Sequence, residues 1–216
     1  MDIAAFRKLP IIGILRGIKP GHIGPLCAEI ISSGIKTIEI TMNTPDAPLL
    51  IKNAVKASSG KVNIGAGTVL DKHALKEALK SGASFIVTPV LINDVVRYCK
   101  KNDIPVFPGA LTPTEIYAAW DAGATMVKVF PARVFGPSYI KEVKAPLDNI
   151  ELLACGGVTP ENLRDYLSAG ASAVTFGASV FRKEWLDTGD YASIGGLMRR
   201  YVASYKEAEG NVKKPE

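Results

Sequence analysis

Residues 122–132, AGATMVKVFPA, set one lysine, Lys128, inside a short apolar run that opens after Gly123 and closes at Pro131. Val127, Lys128, Val129 and Phe130 read as a buried strand, and Gly123 as the left-handed stop of the helix before it. The same punctuation returns at Ser33-Gly34-Ile35, Ser81-Gly82-Ala83 and Ala169-Gly170-Ala171. From Gly34 through Gly82 and Gly123 to Gly170 the steps are 48, 41 and 47 residues. A unit of that size holds two strand-helix pairs. Gly60, Asn102 and Asn149, between these stops, suit the same turn. Starts are marked too: Thr44-Pro45, Thr112-Pro113 and Thr159-Pro160 each put a capping hydroxyl before a proline. Glu115 gives Thr112 a capping-box spacing, and Asp71 caps a helix through Lys80.

Eight strands follow, at about 11–16, 36–41, 62–67, 84–88, 105–107, 125–130, 150–155 and 172–177. Helices fill the gaps, with a short N-terminal helix and a long last one over about 191–208. The pattern predicts an α/β chain forming one parallel (β/α)8 barrel; an open doubly wound sheet is the alternative. Gly65-Ala66-Gly67-Thr68 lacks the third glycine of a dinucleotide fingerprint, which argues against a nicotinamide cofactor.

With 216 residues, 47% apolar and 22% charged, the chain can bury a single large core, leaving a polar tail from about residue 209. The net charge of +5 is mild. Its basic residues are spread over presumed helices, with Lys213 and Lys214 in the tail, and that is no nucleic-acid footprint. Cys27, Cys99 and Cys155 are odd in number, far apart and unpaired in spacing with His22 or His73, so neither a disulfide nor a metal site is expected. A reducing, cytoplasmic compartment fits. The apolar run Leu9 to Leu15 is too short to span a membrane, so no membrane partner is expected.

In a barrel the chemistry belongs at the carboxyl ends of the strands. Period-two alternation on the second strand puts Ile38, Ile40 and Met42 on the helix face and turns Thr37, Glu39 and Thr41 inward. Glu39 and Lys128 therefore share the lumen, either as a structural ion pair or as an acid-base group and a nucleophile. For Lys128 itself, either a desolvated amine attacks ketones to form imines, or the stem packs and the head reaches solvent. Arg16, after the first strand, is a free surface cation or a clamp for a carboxylate. Thr68, Thr88-Pro89 and Gly109 follow the third, fourth and fifth strands. Cys155-Gly156-Gly157 after the seventh and Gly177-Ala178-Ser179 after the eighth can expose backbone amides to a phosphate, although tight turns need glycine anyway.

The ordered motifs ILRGI (14–18), IEITMNTP (38–45), GAGTVL (65–70), FIVTP (85–89), PGALTPTE (108–115), VKVFPA (127–132), FGPSYIK (135–141) and ACGGVTPENL (154–163) carry a family resemblance. Over nearly its whole length the chain resembles the class I 2-keto-3-deoxy-6-phosphogluconate aldolases, a family that includes aldolases for the galactonate epimer and for 4-hydroxy-2-oxoglutarate. The resemblance implies a (β/α)8 barrel, usually a homotrimer, working without a metal or other cofactor. It implies that Lys128 forms a Schiff base with pyruvate or a phosphorylated sugar acid and that Glu39 is the general acid-base. It places Thr68, Pro89 and Phe130 around pyruvate, and Gly156, Gly157 and Ser179 around the phosphate. Two positions depart from the family's pattern, the first of them from members resembling the gluconate enzyme. Asn43 stands where arginine is common, leaving Arg16 as the cation for the carboxylate, and Cys155 replaces a usual threonine or valine. The rival readings are a phosphate-binding barrel isomerase or synthase without imine chemistry, and a silent sugar-phosphate-binding protein.

Overall fold

The computed structural model describes residues 1–212. Eight strands close into one all-parallel barrel in chain order: β1 (Ile11–Leu15), β2 (Thr37–Thr41), β3 (Asn63–Gly67), β4 (Ile86–Thr88), β5 (Val106–Ala110), β6 (Val127–Val129), β7 (Leu152–Ala154) and β8 (Ala173–Phe176). The barrel, not the open sheet, is the architecture. Around it run α1 (Ile3–Phe6), α2 (Ile23–Ser33), α3 (Ala47–Ser58), α4 (Lys72–Lys80), α5 (Asn93–Lys101), α6 (Pro113–Asp121), α7 (Gly136–Lys144), α8 (Leu163–Ser168), α9 (Lys183–Thr188) and α10 (Tyr191–Val212).

Alternation along the strands sorts the side chains into two cores. Ile11, Ile38, Ile40, Ile64, Val127 and Val129 face the helices. Ile12, Phe85, Val87, Phe107, Met126, Leu153 and Ala173 fill the lumen, closed from below by Phe6 of α1. Phe6 and Phe85 each meet the Phe107 ring edge-on at 5.9 Å. Sealing one end with a buried ring, worth about 1.5–3 kcal/mol, leaves polar groups to the other end of the lumen.

Some local expectations change. Gly34, Gly82, Gly123 and Gly170 are left-handed as read, but the turn after α5 uses Asp103 at φ 53° rather than Asn102, and Asn149 is not left-handed. Thr112 and Asp71 cap α6 and α4 as read. Thr44 does not cap α3: Asp46 holds that position, and the buried Thr44 hydroxyl instead accepts from the Gly17 amide at 3.0 Å and bonds Thr41. Thr159 likewise precedes Asn162, the N-cap of α8. Strand β5 continues through Pro108 to Ala110, so Gly109 lies within it. The last helix runs to Val212, past the expected start of the tail; Lys213 and Lys214 lie outside the described residues.

Candidate active site

β2 and β6 stand four strands apart in a ring of eight, so Glu39 and Lys128 approach from opposite walls of the lumen. Both are buried, at 2% and 6% exposure. Among the described residues they make no contact ion pair with each other, yet they are electrostatically coupled. This disposes of the structural ion pair in its simple form and leaves room between the groups.

The space for the Glu39 carboxyl is made by an absent side chain. A Cβ on Gly67 would lie 2.2 Å from Oε1 and 2.6 Å from Cδ of Glu39. Burial pushes the Glu39 carboxyl above the usual carboxylate range, and the positive charges of Lys128 and then Arg16 pull against that. Directly after Gly67, Thr68 is left-handed at φ 54°, a costly conformation for a β-branched residue and one typical of functional loops. It is half-buried at the β3 end.

Around Lys128 the neighbours are specific. Its Nζ lies 5.2 Å from the Phe130 ring centroid. Gly109 pairs with Lys128 in the sheet, and a Cβ on Gly109 would lie 2.0 Å from the Pro89 carbonyl oxygen. Only glycine lets the β4 end close against β5 there. Cys155, 2% exposed, continues β7 into the lumen. Burial pushes its thiol up, partly offset by Lys128 and by a bond with Thr175. Arg16 is exposed beside the mouth, and its side chain has no hydrogen bond or ion pair among the described residues. Asn43 is exposed at the β2 end, and nothing ties it to Glu39.

At the adjacent ends of β7 and β8, the N–H groups of Gly156, Gly157, Ala178 and Ser179 donate to no protein acceptor among the described residues. Gly156 and Gly157 are both left-handed, at φ 95° and 87°. The β7 loop is braced where Asn162 Nδ2 donates to the Gly157 carbonyl at 3.0 Å and the Tyr201 hydroxyl to that of Val158 at 2.8 Å. In the β8 loop the Gly177 carbonyl accepts from Val180 and Phe181, leaving the Ala178 and Ser179 amides exposed at the turn. Open amides on two neighbouring loops can hold an anion.

A buried amine facing a buried carboxyl across a lumen, with an anion-competent rim, is a site for covalent carbonyl chemistry. The model of the family described as "Aldolase: KDPG and KHG aldolase" matches residues 3–197. The chain belongs to this aldolase family. It is 40% identical over 176 residues to the 2-dehydro-3-deoxy-6-phosphogalactonate aldolase of Escherichia coli strain K12, covering 81% of this chain and 86% of that one. It is 33% identical over 202 residues to the 2-dehydro-3-deoxy-phosphogluconate aldolase of Pseudomonas aeruginosa, covering 93% and 90%. A solved structure described as native KDPGal superposes with a TM-score of 0.88 at 36% identity, covering 94% of this chain and 97% of that one. The enzyme is thus a lyase of the aldolase type.

The sequence reading missed three features of this aldolase's site. Thr175, buried in β8 beside Cys155, was legible from alternation in Ala173-Val174-Thr175-Phe176. Arg133 packs against Gly157, whose Cβ would sit 2.4 Å from that of Arg133; no sequence signal joins the two. The Thr44–Gly17 bond, which ties the loop bearing Arg16 to the end of β2, was hidden by the better-known capping role of Thr-Pro.

Proposed function

We propose that this aldolase cleaves 2-keto-3-deoxy-6-phospho sugar acids reversibly to pyruvate and glyceraldehyde 3-phosphate through an imine on Lys128. The observation that carries the reading is Lys128 buried opposite Glu39 without a contact ion pair. Lys128 Nζ adds to the carbon-2 ketone, and loss of water gives the protonated imine, an electron sink. Glu39, directly or through a water, takes the proton of the carbon-4 hydroxyl. The carbon-3 to carbon-4 bond then breaks, its electron pair passing into the enamine as the aldehyde leaves. The enamine carbon is reprotonated by the same carboxyl group, and water releases pyruvate and free Lys128.

In this reading Thr68, Pro89 and Phe130 enclose the pyruvyl group, and Arg16 holds its carboxylate, with Asn43 a lesser contact. Gly156, Gly157, Gly177, Ala178 and Ser179 bind the phosphate through their loops, and Cys155 faces the middle of the substrate. The relatives' names favour the two epimeric phospho sugar acids over 4-hydroxy-2-oxoglutarate. Coupled pyruvate-release assays on all three compounds test this; no release from either phospho sugar acid overturns it.

Two broader features belong to the same proposal. The enzyme works as a homotrimer in the cytoplasm. Exposed Leu70, Val90, Val134 and Phe135 on the loops at the catalytic end supply apolar surface for contact between copies. The three cysteines are free and buried, which fits a reducing compartment. Among the described residues no helix is long and apolar enough to cross a membrane. Light scattering on the purified protein distinguishes one chain from three.

A further inference from the structure

The end of the barrel opposite Lys128 carries a second concavity, of about 740 Å³, between α1, the starts of β2 and β3, and α10. Four lysines line it: Lys8, Lys36, Lys61 and Lys206. None of the four makes an ion pair or a side-chain hydrogen bond among the described residues. One carboxylate, Glu209, shares the lining.

The alternative is that these lysines only answer the helix ends. In a barrel of this kind the carbonyl ends of the outer helices point to this face, and α2 and α3 stop here at Gly34 and Ser59. Each end is worth about half a negative charge. Four ammonium groups against one carboxylate leave three positive charges, and the two helix ends reduce that to about two. A hollow large enough for a metabolite therefore keeps a net positive charge that the described residues do not neutralise. The neighbouring cavity of about 360 Å³ behaves differently: its cation, Arg7, is already paired with Glu151 at 2.6 Å.

We propose that the four-lysine cavity binds a small anion carrying two or more negative charges, a phosphate ester or a polycarboxylate, at a site separate from the aldol centre. Like charges gathered around one space repel, and a polyanion converts that repulsion into attraction. The bound state is then more stable than the free one by mass action, and both effects weaken as salt is raised.

The test is isothermal titration of the full chain with pyrophosphate and, separately, with citrate, in metal-free buffer at low ionic strength. Wild type is compared with Lys36→Gln/Lys61→Gln and with Lys8→Gln/Lys206→Gln, each checked by circular dichroism and by its rate of aldol cleavage. The expected result is saturable binding of at least one probe that weakens tenfold or more in either double variant, with cleavage unchanged. Binding of pyrophosphate alone marks a phosphoryl site, and binding of citrate as well marks a general polyanion site. Pyrophosphate held at the catalytic-end loops would bind equally in all three proteins. Identical isotherms in wild type and both folded variants, or no binding of either probe to wild type, would overturn the proposal.

Discussion

Replacing Gly67 by alanine moves the Glu39 carboxyl without touching its chemistry. The new Cβ would stand 2.2 Å from Oε1, where ordinary contact begins at 3.4 Å, so the carboxyl has to retreat by about 1 Å. The obstructing atoms are the far end of a flexible side chain, not backbone, so the barrel survives at a cost of about 1–3 kcal/mol. A misplacement of about 1 Å at a proton-transferring group lowers the rate on the order of a hundredfold. Lys128 lies on the opposite strand, and its amine is untouched. Imine formation with pyruvate, read by borohydride trapping, should therefore stay near wild type. Exchange of the pyruvate methyl protons, read by NMR in heavy water, should fall about a hundredfold. A Gly67→Ala protein that exchanges protons at the wild-type rate would show that the carboxyl in this niche is not the base. Equal loss of trapping and exchange would show that the damage is general.

Glu39→Gln should slow proton exchange in the same way while changing the pH dependence of stability. Burial raises the Glu39 pKa above its ordinary 4.5, so between those values the folded chain holds a proton the unfolded chain has released, and stability falls as pH rises. The variant should melt higher than wild type at neutral pH, with the gain vanishing below the ordinary value; a pH-independent difference contradicts this. Arg16→Ala should weaken substrate binding by about 1.5–3 kcal/mol, seen in KM, and Asn43→Ala should cost less. A reversal would put the carboxylate at the end of β2. Cys155→Thr should shift the ratio of specificity constants toward the gluconate epimer and Cys155→Val toward the galactonate epimer, because a hydroxyl there can bond one carbon-4 configuration. Identical ratios in all three proteins would mean that Cys155 only fills the core.

The lumen pair was legible because both residues break strongly apolar strands, and period-two alternation fixes which wall a strand residue faces. Glu39 in Ile38-Glu39-Ile40 needed a partner or a job, while for Lys128 in Val127-Lys128-Val129 the sequence also left open a head reaching solvent, which its 6% exposure removes. The glycine stops that gave eight units were legible for the same local reason, since left-handed residues end helices. What escaped were effects that exist only between elements. Gly67 reads as a strand-end glycine until the Glu39 carboxyl is seen filling its place. A left-handed Thr68 runs against the preference of its own side chain, and β5 passes through a proline that locally signals a stop. Lys8, Lys36, Lys61 and Lys206 looked like scattered surface charge because their common cavity is built from α1, the starts of β2 and β3, and α10, which are far apart in sequence.

The central step is the carbon-nitrogen bond at Lys128. Incubation with pyruvate, reduction by borohydride and peptide mass analysis tests it most directly. The expected result is one reduced pyruvyl adduct, on Lys128, absent without pyruvate and absent in a folded, inactive Lys128→Arg protein, whose guanidinium cannot form the imine. An adduct on another lysine, no adduct at all, or aldol cleavage retained by Lys128→Arg would contradict the imine mechanism.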